Sequence, residues 1–439
     1  MTGTETRRAL VIGLAETGVS VARALRAEGW AVTVVEDAPS RAPVYAERGE
    51  AVLAVGAELV EVPGDARVVE LVAGADLVVP SPLVRPGHTA IKAARAGGVA
   101  VRSEIDLAAE RASASIVAVT GTNGKTTVTT MVAAMLDAVG ADADAIVAEV
   151  SSFQLAFAAE AFRPRVAILL AITPDHLDWH GSFDDYAAAK ARIVMHQTAD
   201  DLLVFDADDE RAAAIAARAP ARRVGVSGRA DAEGCFRVVD DDLVFPDGRV
   251  LAPVAVMSRA LAHDRTNALA AAAAALEVGA TVDGIAAALR TYETMPHRVA
   301  LVGEANGVRW YDDSKATNPD ATRRAVSSFD SVVLLAGGRN KGLDLSVLAS
   351  AASHLRGVVT FGEAGPEIAA VFARSGTRVE PAQDMHEAVA AARRLARPGD
   401  VVLLSPACAS FDAYAGYGER GDDFAREVHV QVMEEATSR

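Results

Sequence analysis

The strongest chemical signal in the chain is a glycine-containing loop between an expected strand and an expected helix. It reads Thr120-Gly121-Thr122-Asn123-Gly124-Lys125-Thr126-Thr127. Glycines let backbone N–H groups curl around phosphate oxygens, the lysine can reach the outer phosphates, and the hydroxyl after it can hold Mg²⁺. Val119 stands where a standard P-loop has its first glycine, so the loop is a variant. The pattern predicts nucleotide binding but does not name a reaction.

Two further polar clusters follow apolar runs that we expect to be strands. Glu149 ends one run, and Asp175 and His176 lie just past another. Parallel strands present their carboxyl ends at one edge of a sheet, where ligands bind, so these side chains should lie near the glycine loop. A carboxylate there can serve magnesium, and the histidine becomes a candidate metal ligand. Lys190, in a helix-like run, is by itself typical of a surface lysine.

The last third of the chain carries three more polar loops after apolar runs. They are Asp312-Asp313-Ser314-Lys315-Ala316-Thr317-Asn318-Pro319, Gly337-Gly338-Arg339-Asn340-Lys341-Gly342 and Ser405-Pro406-Ala407-Cys408-Ala409-Ser410-Phe411-Asp412. The first of these joins a strand to a helix that begins at proline. All three should therefore meet at one edge of a parallel sheet, where they could form a second ligand site.

Strands alternate with alanine-rich helices along most of the chain, which predicts an α/β fold with parallel sheets covered on both faces. Three units are expected: residues 1–113, 114–296 and 297–439. Residues 222–256 differ, because they are β-rich with hairpin turns such as Pro246-Asp247-Gly248. A long alanine helix is expected over 265–278.

Composition excludes several classes of function. The chain has 439 residues and a formal net charge of −16, whereas a protein that wraps nucleic acid needs a basic face. The two cysteines, Cys235 and Cys408, give no disulfide framework and no zinc spacing, which suits a reducing cytoplasm. We find no signal peptide and no apolar run long enough for a membrane span, so we expect a cytoplasmic protein without a membrane partner.

Taken together, these motifs resemble the Mur ligase family, and most closely its D-glutamate-adding members. The resemblance covers nearly the whole chain, and the DSKATN, GGRNKG and SPACASFD loops with Arg420-Gly421-Asp422-Asp423-Phe424 carry it most specifically. It implies a Rossmann-like domain for the UDP substrate, a P-loop ATPase domain and a Rossmann-like domain for the amino acid. It further implies that ATP and Mg²⁺ drive the joining of D-glutamate to UDP-N-acetylmuramoyl-L-alanine, through an acyl phosphate, in a monomer.

The resemblance also assigns roles to individual residues. Lys125, Glu149, His176 and Lys190 are implied as catalytic, and Thr126, Glu149, His176 and a carbamylated Lys190 as magnesium ligands. ATP is implied to contact Gly121, Thr122, Asn123, Gly124, Lys125, Thr126, Thr127, Asn267, Arg298 and Asp313. D-Glutamate is implied to contact Thr317, Lys341, Ser410, Phe411 and Tyr417. The UDP substrate is implied to contact Ala15, Glu16, Thr17, Gly18, Glu36, Asp37, Ser81 and Pro82.

The chain departs from the family pattern at several places. Ala15 holds the middle position of the usual GxGxxG turn, and Leu83 follows Ser81-Pro82 where a glycine is usual. Asp264 stands where an asparagine is common, and Asn340 where an aspartate is common. Residues 140–144 join the P-loop helix directly to the next strand, without a short Gly-Asn-Ile-Gly-type segment that helps to hold the UDP substrate. ATP binding should survive this loss.

Other interpretations stay open from the sequence. A sister Mur ligase or a folylpolyglutamate synthase shares the TGTNGKTT loop, although the DSKATN and SPACAS loops argue against both. A nucleotide-binding relative with impaired ligation would follow from the missing segment. The first turn, with the acidic Glu36 after the next strand, also suggests a dinucleotide oxidoreductase, which the altered glycine pattern disfavours.

Overall fold

The computed structural model describes residues 6–40, 43–138, 140, 144–373 and 375–433. In these ranges the chain forms three sheets, of five, eight and six strands in chain order. Helices cover the sheets, and most neighbouring strands run parallel. The predicted α/β class is confirmed.

The first sheet is entirely parallel. Its strands are β1 (Arg8–Ile12), β2 (Ala31–Glu36), β3 (Glu58–Glu61), β4 (Leu77–Pro80) and β5 (Ala100–Val101), and its helices are α1 (Glu16–Ala27), α2 (Pro43–Ala54), α3 (Asp65–Ala73), α4 (Thr89–Gly97) and α5 (Glu104–Arg111). The strand order is β3-β2-β1-β4-β5. The connections leave in opposite directions on the two sides of β1, and the crevice at such a switch point is where α/β sheets bind ligands.

The central sheet is parallel except for a β-meander at one edge. Its strands are β6 (Ser115–Thr120), β7 (Ala145–Glu149), β8 (Val166–Leu169), β9 (Leu202–Asp206), β10 (Arg222–Ser227), β11 (Phe236–Val239), β12 (Asp242–Val244) and β13 (Val250–Pro253). The helices are α6 (Lys125–Asp137), α7 (Ser152–Leu155), α8 (Leu177–His180), α9 (Phe183–Ala191), α10 (Glu210–Ala216), α11 (Ala262–Glu277) and α12 (Val282–Thr291), with short 3₁₀ turns at Arg192–Val194 and Val254–Val256. β12 and β13 pair antiparallel across the predicted hairpin turn.

The third sheet has order β14-β15-β19-β16-β17-β18, with β14 antiparallel to β15 and the other pairs parallel. Its strands are β14 (Ala300–Ala305), β15 (Val308–Asp312), β16 (Val332–Gly337), β17 (Leu355–Phe361), β18 (Arg378–Pro381) and β19 (Val401–Ala407). Its helices are α13 (Pro319–Val326), α14 (Gly365–Phe372), α15 (Met385–Leu395) and α16 (Tyr417–Val428), with a 3₁₀ segment at Leu345–His354 and a π-helical turn at His429–Met433.

The alanine-rich helix α11 shows how the central core is closed. Its residues 270–272, 274 and 275 have no exposed surface, and α11 packs on both α6 and the sheet. Alanine is the strongest helix former, and its small side chain lets the helix lie close to its neighbours. The helix thereby holds Asn267, one turn in from its start, beside the glycine loop.

Candidate active site

The glycine loop joins β6 to α6, as the sequence predicts. Gly121 has φ +153° and Gly124 has φ +84°. A Cβ on Gly121 would lie 2.6 Å from the Leu170 Cβ, and one on Gly124 would lie 2.8 Å from the Asn267 Oδ1. Both contacts are too short for a side chain, so the loop requires glycine at these two positions. The first turn of α6 points its free backbone N–H groups at the loop, which suits an anion.

Two lysines converge on this loop from different helices. The Lys125 Nζ donates to the carbonyl oxygens of Gly121, at 3.2 Å, and Thr122, at 3.1 Å. The Lys190 Nζ donates to the same Gly121 carbonyl at 2.7 Å and lies 4.6 Å from the Tyr186 ring centroid. Burial lowers the pKa of both amines, and that of Lys190 falls well below its ordinary value. Lys190 is therefore a buried lysine beside the glycine loop and not a surface one.

Thr126 lies between an acid and a base. Its hydroxyl donates to the Glu149 carboxylate at 2.7 Å and accepts from the Arg298 guanidinium at 2.8 Å. Glu149 ends β7, the strand next to β6, whereas Arg298 comes from the segment that leads into the third sheet. A strand end of the central sheet and the segment that leads into the third sheet therefore meet at the loop.

The loop after β8 makes a second contact between the central and third sheets. Asp175 is buried and forms an ion pair with the Lys341 Nζ at 3.0 Å. Burial alone would raise the pKa of Asp175, but the Lys341 ammonium and the neighbouring His176 outweigh it, so the pKa lies below its usual value. Asn318 reaches the same carboxylate at 3.4 Å and donates to the Asn123 side chain at 3.1 Å. The carboxylate therefore joins two of the third-domain loops to the loop after β8, and Asn318 joins one of them to the P-loop.

The expected magnesium ligands line one cavity. Among the described residues, no group of three or more His, Cys, Asp or Glu side chains is arranged to hold a metal ion. The expected set contains two such residues, Glu149 and His176, together with the Thr126 hydroxyl and the Lys190 amine. An ammonium at Lys190 would repel a cation, whereas a carbamate would add the oxygen ligands that magnesium prefers. The donor set fits magnesium with Lys190 in its modified form.

His176 has a conformation and an environment that are unusual for a loop residue. Its φ is +52°, and its ring centroid lies 4.8 Å from that of Phe153. Burial lowers its pKa, while Asp175 opposes the shift. The neutral imidazole is thus favoured, which is the form that binds metals.

A second cavity adjoins the loop and is lined by residues that were expected to contact ATP. Asn267, Arg298 and Asp313 lie there with Asn123, Gly124 and Thr127. Burial raises the pKa of Asp313 to about 7, although it accepts a hydrogen bond from the Ser405 hydroxyl at 2.8 Å. Gly121 and Thr122 are buried, and the Thr122 hydroxyl donates to the Thr173 carbonyl at 2.9 Å. These side chains surround a space in which a nucleotide base could lie.

The residues expected to contact D-glutamate are dispersed along the third-domain loops. Thr317 lines the cavity that holds Lys125 and Lys190. The loops of Lys341 and Ser410 are joined by paired backbone hydrogen bonds between Arg339 and Ala409. Ser410 is buried, whereas Phe411 is 64% exposed. The Tyr417 ring lies beneath the Lys315 ammonium, 3.8 Å from the centroid.

The buried side chain of Arg420 forms hydrogen bonds to all three of the polar loops of the third sheet. It has no exposed surface, and its guanidinium donates to the carbonyls of Ser314, Cys408 and Gly337 and to the Ser314 hydroxyl. Burial lowers its pKa to about 10. Its place in the RGDDF motif was visible in the sequence, but its role required knowledge of which loops meet.

The first-domain residues form a separate region. Gly13 has φ +98°, and the Glu36 carboxylate accepts from the N–H groups of Leu14, at 2.7 Å, and Ala38, at 2.9 Å. Asp37 pairs with His88 at 2.6 Å, and the Ser81 hydroxyl donates to the Gly13 carbonyl at 3.2 Å. Ala15, Glu16, Thr17, Gly18 and Pro82 flank these groups at the ends of β1 and β4. The structure brings this set together at the switch point.

Sequence reasoning placed Asp175 near the glycine loop but gave it no partner, and it gave no role to Asn318 or Lys315. Both lie within the quoted motifs, but only their spatial neighbours distinguish them from solvated loop residues. Residues 139 and 141–143, where the shortened connection was noted, lie outside the described residues. In the part of the chain that the structure covers, no helix is long and apolar enough to cross a membrane.

Comparison with known proteins decides the family. A model of the Mur ligase middle domain matches residues 134–275, and a model of the Mur ligase glutamate ligase domain matches residues 297–408. A UDP-N-acetylmuramoylalanine–D-glutamate ligase from Rubrobacter xylanophilus is 41% identical, covering 96% of this chain and 98% of its own. The chain belongs to the Mur ligase family. It is accordingly an ATP-dependent ligase that forms amide bonds.

Further Mur ligases are similar in sequence or fold. A UDP-N-acetylmuramoylalanine–D-glutamate ligase from Shouchella clausii is 38% identical, with 97% of each chain covered. The fold is similar to that of UDP-N-acetylmuramate-alanine ligase MurC from Thermotoga maritima, with a TM-score of 0.59, 19% identity and coverage of 96% of this chain and 99% of that one. MurF ligase from the same organism, solved with ADP, has a TM-score of 0.59 at 16% identity, covering 98% and 97%.

Proposed function

We propose that this Mur ligase joins D-glutamate to UDP-N-acetylmuramoyl-L-alanine at the expense of ATP, in the cytoplasm and as a monomer. The observation that carries the proposal is the high similarity to D-glutamate ligases over nearly the full length of both chains. The site supports it, because two lysines of the ATPase domain face the loops that carry the implied amino-acid residues.

The proposed chemistry has two steps. The alanine carboxylate of the UDP substrate attacks the γ-phosphorus of ATP, so that an acyl phosphate forms and ADP leaves. The amine of D-glutamate then attacks the acyl carbon, loses a proton, and inorganic phosphate leaves from the tetrahedral intermediate. A carboxylate cannot expel oxide, whereas the acyl phosphate has a good leaving group. Catalysis then depends mainly on positioning and charge neutralisation.

Residues of this chain can provide both the positioning and the charge neutralisation. The free N–H groups at the start of α6 and the Lys125 ammonium face the same phosphates, which accumulate negative charge. Arg298 already donates to Thr126, so it can add a further positive charge at this point. Magnesium, held by Thr126, Glu149, His176 and carbamylated Lys190, would neutralise phosphate charge and align its oxygens.

The buried amine of Lys190 supports the proposed carbamylation. A lysine reacts with CO₂ only as the neutral amine, and desolvation favours that form. Lys190 has no carboxylate partner within ion-pair distance among the described residues, and its ammonium would repel Lys125. Conversion to a carbamate would replace the repulsion between Lys190 and the Lys125 ammonium by an attraction.

Phosphate release against a panel of amino acids tests the proposal. The assay contains ATP, magnesium and UDP-N-acetylmuramoyl-L-alanine, and D-glutamate is the expected acceptor. L-Glutamate and D-aspartate are controls for stereochemistry and chain length. Release with L-alanine or a diamino acid, and not with D-glutamate, would identify a sister activity and contradict the proposed acceptor.

A second candidate is a nucleotide-binding family member with impaired ligation. The alignment with the relatives runs over 453 positions, more than the 439 residues of this chain, so these relatives carry residues that the chain lacks. The shortened connection at 140–144 is one place for such a loss. This candidate predicts ATP binding with no ADP release when both acceptor substrates are present.

A further inference from the structure

The connection between the central and third sheets has a strained backbone. His297 has φ +62° and Val299 has φ +48°, on either side of Arg298. A β-branched residue such as valine rarely adopts a positive φ, and such a conformation is strained. Surrounding contacts must therefore hold residues 297–299 in this form. The His297 ring provides one of them, through its 2.6 Å contact with Asp312.

Arg259 provides another from the central domain. Its NH1 nitrogen donates to the backbone carbonyls of Arg298 and of Val299, the latter at 2.9 Å. Its other two nitrogens form a bidentate pair with the Asp264 carboxylate, each at 2.7 Å. One planar guanidinium thus joins the start of α11 to both carbonyls of the strained connection, which a lysine could not reproduce.

Asp264 is fixed in turn by its helix. It is 1% exposed, lies in the first turn of α11 and accepts from the Leu261 N–H at 3.1 Å. Three residues further along the same helix, Asn267 contacts Gly124 of the P-loop. The helix that anchors Arg259 is therefore the helix that lines the nucleotide cavity.

The residue between the two strained positions reaches the P-loop. The Arg298 guanidinium donates to the Thr126 hydroxyl, while the Arg298 carbonyl accepts from Arg259. We propose that Arg259 and Asp264 form a positioning pair that holds residues 297–299 so that Arg298 points at the P-loop. This inference rests on the proposed function only in taking Arg298 to act on bound ATP.

The alternative is a buried ion pair that serves stability alone. Such pairs are costly to break from one side, wherever they lie. Arg163 and Asp201 offer a comparison in the same domain: the Arg163 Nε donates to the buried Asp201 at 2.9 Å, away from either cavity, although the Arg163 side chain is more exposed than that of Arg259. Thermal unfolding measures the loss of stability in either variant, whereas a positioning effect belongs to Arg259.

The experiment measures the Kd of a non-hydrolysable ATP analogue with magnesium, by calorimetry and without acceptor substrates. We expect Arg259→Lys to raise this Kd at least about fivefold, and Arg163→Lys to leave it within about twofold. Thermal unfolding is measured for both variants, and binding is compared at a temperature where both are folded. An unchanged Kd for Arg259→Lys would overturn the proposal.

A double-mutant cycle tests whether Arg259 acts through Arg298. Arg298→Ala should weaken binding by itself, and adding Arg259→Lys to it should weaken binding little further. Fully additive effects would overturn the proposal, because Arg259 would then act independently of Arg298. The binding assay needs no amino acid, so it stays informative if D-glutamate is the wrong acceptor or ligation is absent.

Discussion

Two glycine turns in this molecule have the same architecture and opposite electrostatics. Each follows a parallel strand and opens a helix, one after β1 and one after β6. After β1 the Glu36 carboxylate already binds the Leu14 N–H, and the helix begins with Glu16. After β6 the helix begins with Lys125, and Lys190 also reaches the loop.

The difference shows that turn geometry alone does not define the ligand. A carboxylate beside the loop N–H groups repels a phosphate and instead accepts hydrogen bonds from hydroxyl or N–H groups, such as those of a uridine. The buried Lys125 ammonium beside free helix N–H groups attracts phosphate. We therefore expect the first turn to bind the neutral part of a nucleotide and the second to bind phosphates.

Removing charge at the second turn should have the largest effect. We expect Lys125→Ala to lower the rate of ATP-dependent ligation at least about 10²-fold, because it removes a preorganised cation from the transferring phosphoryl group. The fold should persist, as checked by circular dichroism. Lys92→Ala, at an exposed position on α4, is the control. Near-normal turnover in the Lys125 variant would exclude the P-loop from the mechanism.

Lys190→Ala should also lose most of its ligase activity, but a small carboxylate added to the assay should restore part of it. If Lys190 acts as a carbamate, acetate or formate should partly restore activity by supplying an anion in the emptied space. Lys125→Ala should show no such rescue, which separates the two lysines. Full activity of the unaltered protein after bicarbonate depletion, with an unmodified lysine in its mass spectrum, would contradict the carbamate.

Lys341→Ala tests the third-domain side of the same region. We expect the KM for D-glutamate to rise at least about tenfold, because loss of a charged partner for a carboxylate costs about 1.5–3 kcal/mol and about 1.4 kcal/mol corresponds to a factor of ten. The KM for ATP should change far less. Lys341 also pairs with Asp175, so Asp175→Asn is needed as a companion. Equal changes in both KM values for both variants would assign Lys341 to the domain contact instead.

Features of the fold that depend on local residue types could be predicted from the sequence. The P-loop, the Pro319 helix start and the hairpin at 246–248 depend on local residue types, and all three are confirmed. The strands β3, β14 and β18 were missed. Each lies at a sheet edge and is half-exposed, so it lacks the apolar run that marks a buried strand.

Contacts between distant segments could not be predicted in the same way. The pairs Asp175–Lys341 and Arg298–Thr126 join residues more than 150 positions apart. Only the packing of the third domain on the central one brings them together. Arg259 illustrates the limit most clearly, since nothing in its immediate sequence separates it from a surface arginine.

The smallest expected effect comes from the first turn. Glu36→Gln keeps the side-chain shape and one carbonyl acceptor but removes the charge from the hydrogen bonds to Leu14 and Ala38. Replacing a charge-assisted bond by a neutral one costs about 1 kcal/mol, so we expect the KM for the UDP substrate to rise about fivefold. The KM for ATP should stay unchanged, because this turn lies in a different sheet from the P-loop. Steady-state kinetics with each substrate varied separately measures both values.

A fall in the UDP-substrate KM would mean that a phosphate approaches this turn after all, since removing a carboxylate favours an anion. The two turns would then differ in sequence but not in the part of the nucleotide that they bind.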